Sequence, residues 1–224
     1  MVWQADLDAL RQIPLIAELR PEDLARIGAA TIVRRYRRGD IIMAKGEQGG
    51  PLRYVRSGVV KLFSNSMDGK EQVLRLVASG HTFNTVAAVD GRPSPVSAAA
   101  VEPSVVYAIR GTELRKLVAE RPEVARAAML TFTSALRELV ALTEDLSLHH
   151  VSGRVAKLLL DQERCTCERC RAHRLTQQEI SAVVGTAREV VGRILRDMQA
   201  AGIIQVRRGC VVLLDHERLR SLAR

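Results

Sequence analysis

The sequence predicts an α+β fold made of an N-terminal β-barrel, a long amphipathic helix and a C-terminal helical segment that closes with a β-hairpin. Short β-branched runs lie between Thr31 and Ile109 and alternate with Gly and Pro, which is typical of an all-β barrel or sandwich. Apolar residues then recur at heptad spacing, and helical periodicity returns in the last third of the chain. The predicted parts span residues 1–120, 121–150 and 151–224. The chain of 224 residues, 47% of them hydrophobic, is long enough to bury one large core or two modest ones.

The composition excludes several classes of protein. A mean hydropathy of zero and 26% charged residues describe a soluble chain. The longest uncharged run, Leu76–Val89, has 14 residues and is too short and too polar to cross a bilayer. Asp6 and Asp8 stand where a signal peptide would be basic and then apolar, and four Cys do not make a disulfide scaffold. We therefore expect a cytoplasmic protein with no membrane partner.

The positive charge is concentrated near the C-terminus. The whole chain carries a formal net charge of +9, and Val151–Arg224 contributes +6 of it, from 14 basic and 8 acidic residues. A small basic segment favours a polyanionic partner, with nucleic acid first among the candidates. A general preference for arginine is the alternative explanation, because only 5 of the 34 basic residues are Lys.

Short helices precede the barrel in the predicted order of elements. Apolar residues at helical spacing predict these helices within Met1–Ala30, and Pro21 is typical of a helix first turn. Asp68–Gly69 lies between two β-branched runs and indicates a hairpin turn. With three Phe, three Tyr and one Trp in the chain, the core must be mainly aliphatic. The predicted strands are Thr31–Tyr36, Asp40–Met43, Tyr54–Val55, Val59–Phe63, Gln72–Val77, Val96–Val101 and Val105–Ile109.

A long helix is predicted from about Pro122 to His149. Its apolar positions are separated by alternating steps of four and three residues, at Ala125, Met129, Phe132, Leu136, Leu139, Thr143 and Leu146. This heptad spacing predicts a homodimer, with an interface that contains Met129, Phe132, Leu136, Leu139, Thr143 and Leu146. Val140 and Leu142 widen the apolar stripe, so the helix can also face its own barrel. An amphipathic helix packed only on its own domain is the alternative.

The C-terminal segment begins with the pattern of a helix and then a capped second helix. The apolar face of the leading helix is formed by Val155, Leu158 and Leu159. Thr176 followed three residues later by Glu179 is a capping box, a side-chain arrangement that starts a helix. That helix is predicted over Gln177–Val184 and stops at Gly185.

A third helix and a β-hairpin complete the segment. The third helix is predicted over Ala187–Ala201, and its inward face contains Val190, Val191, Ile194, Leu195 and Met198. The hairpin is predicted from Gln205–Arg208 and Cys210–Leu214, with Gly209 between them. Two short helices joined by a tight glycine turn are the signature of a helix-turn-helix, and the hairpin adds a wing.

Three charged side chains lie at the start of the third helix. In helix-turn-helix proteins this part of the helix enters the major groove of DNA. Arg188 and Arg193 offer bidentate donors to guanine, and Glu189 can accept from cytosine. A solvated helix face with an ion pair between Glu189 and Arg193 is the alternative. The capping box and the glycine turn favour the DNA-reading interpretation.

These residues resemble the cyclic-AMP receptor and fumarate-nitrate regulator (Crp/Fnr) family. The resemblance covers nearly the whole chain and implies a cyclic-nucleotide-binding-like β-barrel of the jelly-roll type, a dimerisation helix and a winged helix-turn-helix. It rests on Leu175–Ile180 and Val184–Leu195 in the helix-turn-helix, on Arg38–Asp40, Lys45–Glu47, Ser57–Lys61, Asp68–Glu71 and Ser79–Gly80 in the barrel, and on Val151–Arg154 in the hinge.

The resemblance also implies how the protein binds DNA. Arg188, Glu189 and Arg193 occupy the positions that read bases, and the half-site is similar to TGTGA in an inverted repeat. Ala187 stands where relatives have a Ser or Thr that contacts phosphate. The implied partners are double-stranded DNA, a second copy of the chain and RNA polymerase. The full implied DNA-binding set is Thr176, Gln177, Thr186, Ala187, Arg188, Glu189 and Arg193.

The barrel departs from the family where the cyclic-AMP receptor binds its ligand. The Gly-Glu pair that binds ribose in the cyclic-AMP receptor is absent after His81. The Arg-Ser pair that binds the cyclic phosphate is absent too, because Arg92 is displaced and is followed by prolines. The pair that meets adenine aligns with Leu139 and Val140. A pocket without a fixed cation cannot easily compensate a buried phosphate, so we do not expect cyclic AMP to bind.

Two alternatives from other functional classes compete with a DNA-binding regulator. One is a nucleotide-binding-like module that acts on a protein partner, and the DNA-type C-terminus argues against it. The other is a cupin-like metalloenzyme. Catalysis of that kind needs several His ligands, and the barrel offers only His81. We therefore expect no enzyme activity.

A cysteine cluster is the strongest departure from the family average. Three thiols and an imidazole lie within nine residues, and a fourth thiol lies in the predicted wing; the set is Cys165, Cys167, Cys170, His173 and Cys210. Such spacing lets thiolates converge on one metal, and neighbouring arginines favour the thiolate form. Zinc and an iron–sulfur cluster both fit the donor set. A thiol–disulfide switch and an inert loop stay open as alternatives.

Overall fold

The computed structural model describes residues 7–69, 71–164, 175–207 and 210–223. The chain divides into two compact units, Met1–Ser64 with Arg75–Glu138, and Asn65–Leu74 with Leu139–Arg224. Among the described residues, no helix combines the length and the apolar character that crossing a bilayer requires.

The barrel contains eight strands and is preceded, interrupted and followed by helices. The strands are β1 (Thr31–Tyr36), β2 (Ile41–Met43), β3 (Leu52–Ser57), β4 (Val59–Asn65), β5 (Glu71–Ala78), β6 (Thr82–Phe83), β7 (Ser97–Ala100) and β8 (Ser104–Ile109). The helices are α1 (Leu7–Arg11), α2 (Pro21–Ala30), α3 (Thr85–Asp90) and α4 (Gly111–Glu120).

The strands form two four-stranded sheets, ordered β1-β8-β3-β6 and β2-β7-β4-β5. One core lies between the sheets, where Val55 and Val106 of the first meet Val60 and Ala98 of the second. A second core covers the other face of the first sheet, where Leu52 and Tyr54 pack with apolar residues of α1, α2 and α4. Side chains on β3 alternate between these cores because successive strand residues point to opposite faces. The predicted β-sandwich is confirmed.

The remaining elements follow the barrel. They are α5 (Pro122–Leu148), α6 (Val151–Arg164), α7 (Gln177–Val184), α8 (Arg188–Ala200), β9 (Ile204–Arg207), β10 (Cys210–Leu213) and α9 (His216–Leu222). The core of the second unit is formed by apolar faces of α6, α7 and α8, and by residues of the wing and α9. Val155, Val191 and Leu219 are fully buried there.

The structure differs from the predicted elements at several places. The hairpin does not end the chain, because α9 follows it; the side chain of Asp215 caps this helix by accepting from the Arg218 N–H at 2.9 Å. Helices α3 and α4 and strand β6 were not predicted. Of these, α3 and β6 are too short for a periodic pattern. The third helix of the C-terminal segment begins at Arg188, and Ala187 is its N-cap residue. The long helix ends at Leu148.

Candidate nucleic-acid interface

The helix-turn-helix begins at a complete capping box, as predicted. The Glu179 N–H donates to Thr176 Oγ1 at 3.2 Å, and the Thr176 N–H donates to Glu179 Oε2 at 2.7 Å. Both bonds satisfy N–H groups that a helix start leaves unpaired. The capping box therefore sets the first residue of α7 independently of any partner molecule.

Gly185 makes the tight turn between the two helices. Its φ is +71°, in the left-handed region, and its N–H donates to the Ser181 carbonyl at the end of α7. A side chain would also collide, because a Cβ at this position would lie 2.6 Å from Gln72 Oε1 and 2.9 Å from Leu146 Cδ2. Glycine is therefore required both by the backbone conformation and by the space around it.

Helix α8 divides into a buried and an exposed face. Val191, Leu195 and Met198 are buried in the core of the second unit. The exposed face begins with three of the predicted DNA-contact residues, Ala187, Arg188 and Glu189, and continues to Arg193 one turn later. The apolar periodicity thus orients the helix so that its N-terminal charged residues face outward.

The predicted DNA-binding residues come from the start of α7, from the turn after it and from the start of α8. Thr176 and Gln177 are exposed at the start of α7, and Thr186 is half-buried in the turn. The Gln177 amide lies over α8, since a Cβ on Gly192 would be 3.3 Å from Gln177 Oε1. The fold therefore places the start of α7 beside the exposed face of α8.

The charged groups of this face have no internal partners in the part of the chain that the structure describes. Neither an ion pair nor a hydrogen bond engages the side chains of Arg188, Glu189 or Arg193 there, so the Glu189–Arg193 pair considered from the sequence is not formed. Arg196, one turn further along α8, is different because its Nε donates to the Gly192 carbonyl at 3.2 Å. The three predicted base-reading groups are thus available to an external ligand.

Arg154 belongs to the hinge match found in the sequence, but its structural role in this unit was not predicted. Its guanidinium donates to the Val184 carbonyl at 2.8 Å and to the His149 carbonyl at 2.6 Å. These two carbonyls lie at the ends of α7 and just after α5. Lys157 adds an ion pair to Asp145 of α5 at 2.6 Å. Arg154 therefore ties the end of the long helix to the helix-turn-helix, a role that no local pattern predicts.

The predicted seam on α5 is mostly exposed. Met129, Leu136, Leu139 and Leu146 have 62%, 63%, 50% and 38% of their surface accessible, and they recur at heptad spacing. Phe132 is half-buried and packs against the core of the first unit. The Thr143 hydroxyl bonds back to the Leu139 carbonyl within the helix, which leaves its methyl group for packing. Such a row of exposed leucines is the surface that a second helix covers in a coiled coil.

The loop that would bind a cyclic nucleotide contains a neutral polar pair. Ser94 is 1% exposed, and its hydroxyl donates to Asn84 Oδ1 at 2.8 Å. Asn84 Nδ2 in turn donates to the Pro51 carbonyl at 3.0 Å. Arg92 is exposed, as a surface arginine would be.

The cysteine cluster lies mostly outside the described residues. Cys165, Cys167, Cys170 and His173 all fall there, and only the backbone of Cys210 is described, paired with Arg207 across the wing. Among the described residues, no group of three His, Cys, Asp or Glu side chains is arranged to hold a metal ion.

Comparison with known proteins gives consistent similarities. Residues 33–121 match the cyclic nucleotide-binding domain, and residues 153–222 match the Crp-like helix-turn-helix domain. The CRP-like cAMP-activated global transcriptional regulator of Mycobacterium tuberculosis is 32% identical, over 84% of this chain and 87% of that protein. The cyclic AMP receptor protein of Thermus thermophilus is 29% identical, over 94% and 96% of the two chains. A Crp/Fnr-family regulator from Eubacterium rectale shares the fold, with a TM-score of 0.80 and 21% identity over 95% and 98%.

Proposed function

Because the chain belongs to the Crp/Fnr family of DNA-binding transcription regulators, we propose that it acts as a homodimer that reads a TGTGA-like inverted repeat. The family assignment confirms the resemblance found in the helix-turn-helix and barrel turns. It also removes the two alternatives, because this family consists of regulators, neither metalloenzymes nor modules that act only on proteins.

The observation that carries the proposal is the free charged face at the start of α8. Two guanidinium forks and one carboxylate are exposed there, and no ion pair within the described residues has to be broken before they meet bases. Arg188 and Arg193 suit guanine, and Glu189 suits the amino group of cytosine. A TGTGA half-site presents two G·C pairs in the major groove, and these are the pairs that the three side chains suit.

The surrounding residues support positioning on the DNA backbone. Thr176, Gln177 and Thr186 surround the exposed start of α8, where hydroxyl and amide groups can donate to phosphates. Ala187 has no such donor, so one phosphate contact that relatives make through a Ser or Thr is absent from this proposal. The basic C-terminal segment, at +6, adds sequence-independent attraction to DNA.

The exposed seam on α5 supports the dimer. An inverted repeat presents two identical half-sites, and a two-fold dimer matches that symmetry. Isolated exposed leucines are ordinary on a protein surface, but a heptad row of them is the arrangement that buries itself against a second copy. In this proposal the dimer acts in the cytoplasm and recruits or blocks RNA polymerase.

A titration of labelled DNA tests the proposal. One duplex carries two TGTGA half-sites in inverted orientation, centred one helical turn apart, and the other has the same composition with scrambled half-sites. We expect binding to the first to be tighter by about 10³-fold or more at physiological salt, with two chains per duplex. Equal affinities for the two duplexes would contradict sequence-specific reading.

Cyclic AMP is expected to leave the DNA affinity of this chain unchanged. In the loop that holds the cyclic phosphate in relatives, this chain has the neutral Asn84–Ser94 pair in place of a fixed cation. A buried phosphate charge without a cationic partner is strongly unfavourable. The measurement repeats the DNA titration with millimolar cyclic AMP, and with cyclic GMP for comparison. A marked tightening of DNA binding by cyclic AMP would show that another cation compensates the phosphate.

The cysteine segment is proposed as a metal site that includes Cys165, Cys167 and Cys170, completed by His173 or Cys210. Its donor set suits zinc, with about one ion per chain, or an iron–sulfur cluster. A chelator, or the substitution Cys167→Ser, is expected to lower the melting temperature of the DNA-binding part, because metal binding stabilises only the folded site.

Three measurements separate the alternatives for this segment. Elemental analysis of anaerobically purified protein detects zinc, and a colour that oxygen bleaches indicates an iron–sulfur cluster. A metal-free protein whose DNA affinity follows thiol oxidation would replace the metal site with a redox switch. A metal-free protein that responds to neither chelator nor oxidant would contradict both.

A further inference from the structure

A cavity of about 410 Å³ lies within the first unit. It is lined by residues of β1, β3 and β8, by the loop between β2 and β3, and by the start of α4. The strand register places Ile32, Ala108 and Arg53 side by side across the first sheet, and Arg34 follows Ile32 on the same face. The volume is in the range of pockets that hold small molecules.

Arg53 is the buried charged group of this cavity. Its side chain is 7% exposed, and its Nη2 donates to Glu47 Oε1 at 3.2 Å. Its Nη1 donates to the thioether sulfur of Met43, also at 3.2 Å, and a thioether is a weak acceptor. A guanidinium has five N–H donors, and these are its two side-chain acceptors among the described residues. Burying a cation with so few hydrogen-bond acceptors destabilises the fold, unless an oxyanion from outside the chain supplies the missing acceptors.

The loop between β2 and β3, which contains Gly50, lies directly against the Arg53 guanidinium. A Cβ at Gly50 would lie 3.4 Å from Arg53 Nη1 and 2.8 Å from Asn84 Nδ2. Only glycine therefore allows the loop to approach both groups.

The first residues of α4 line the same cavity. Gly111 and Thr112 line it, and they are the first residues of a ten-residue helix. The N-cap residue, Arg110, makes no side-chain hydrogen bond to these N–H groups. The N-terminus of a helix attracts anions through its free N–H groups and its dipole.

The charge balance of the cavity is positive. Arg34, Arg53 and Arg110 line it, against the single carboxylate of Glu47, among the lining residues that the structure describes. Arg34 and Arg110 are exposed, and neither side chain has an ion pair or hydrogen bond to the described part of the chain. Glu47 is 40% exposed, so it can turn toward solvent when another anion takes its place at Arg53.

From this arrangement we infer that the cavity binds a small metabolite carrying two or more carboxylate or phosphate groups. One oxyanion group bonds Arg53 and the N–H groups at the start of α4. The other lies between Arg34 and Arg110 at the rim. The inference concerns the barrel alone, and its test uses no DNA, so it stands or falls separately from the proposed function.

Calorimetric titration of the full chain at constant ionic strength tests the inference. The probes are succinate and citrate for carboxylates and 3-phosphoglycerate for a ligand that contains phosphate, with inorganic phosphate as the single-group comparison and chloride as the ionic-strength control. We expect at least one probe to bind saturably at one site per chain and to raise the melting temperature. Which probe binds more tightly distinguishes a carboxylate from a phosphate ligand.

Matched variants locate the site. Arg34→Ala and Arg110→Ala remove exposed side chains and are each expected to weaken binding by about tenfold or more. Arg35→Ala is the control, because Arg35 is the next residue on β1 and points to the opposite face. Arg53→Met, which keeps the apolar stem, is expected to abolish binding. The inference is overturned if no probe binds saturably, or if the Arg34→Ala/Arg110→Ala double variant binds as the unmodified chain does.

Discussion

Replacing Leu136 with Glu is expected to convert the dimer into a monomer and to remove specific binding to the inverted repeat. Leu136 is 63% exposed in the single chain and lies in the middle of the heptad seam, so the dimer would bury two new carboxylates against each other. A monomer holds only one half-site. Losing the second, tethered contact lowers the apparent affinity by about 10²–10⁴-fold.

Light scattering and the DNA titration measure the two consequences separately. Leu130→Glu is the matched control, because Leu130 is 61% exposed on the same helix but lies off the heptad seam. The control variant is expected to stay dimeric and to bind the repeat normally. A Leu136→Glu protein that stays dimeric would refute the proposal that the heptad seam is the dimer interface. A monomer that still binds the full repeat with unchanged affinity would refute the link between dimer and DNA site.

Replacing Arg188 with Ala is expected to weaken binding to the TGTGA repeat far more than binding to scrambled DNA. A bidentate arginine–guanine contact discriminates by about 1–3 kcal/mol, and a dimer loses it in both half-sites, so the expected total is about 2–6 kcal/mol. That corresponds to a decrease in specific affinity of about 30-fold or more. Arg193→Ala is expected to relax base preference in the same way at its own position.

Arg196→Ala separates base reading from general charge. Arg196 is an exposed arginine of the same helix, and its Nε bonds back to the Gly192 carbonyl. Its removal takes away the same unit of positive charge without removing a predicted base contact. We expect it to weaken specific and scrambled DNA about equally. If Arg188→Ala behaves like Arg196→Ala, Arg188 contributes charge and not sequence reading.

The parts of the protein with local sequence signals could be predicted without the structure. Thr176 and Glu179 are three residues apart, and the two hydrogen bonds between them form within one turn of helix. Gly185 was predicted as the end of that helix because glycine readily adopts the left-handed conformation, here with a φ of +71°, that often ends a helix. The exposed position of Arg188 and the heptad row on α5 also follow from helical periodicity, which depends on neighbours within a few residues.

Contacts between side chains that are far apart in the sequence could be identified only from the folded structure. Arg154 is an ordinary basic residue in the sequence, and its role follows from two carbonyls, one of them 30 residues away. Arg53 stands in a strand between Leu52 and Tyr54, and nothing local shows that it is buried beside Glu47 and the start of α4. Burial and charge pairing of this kind depend on how sheets and helices pack, and packing is set by contacts that no short pattern records. The exposed charged start of α8 was therefore predictable from the sequence, whereas the arginine-lined cavity was not.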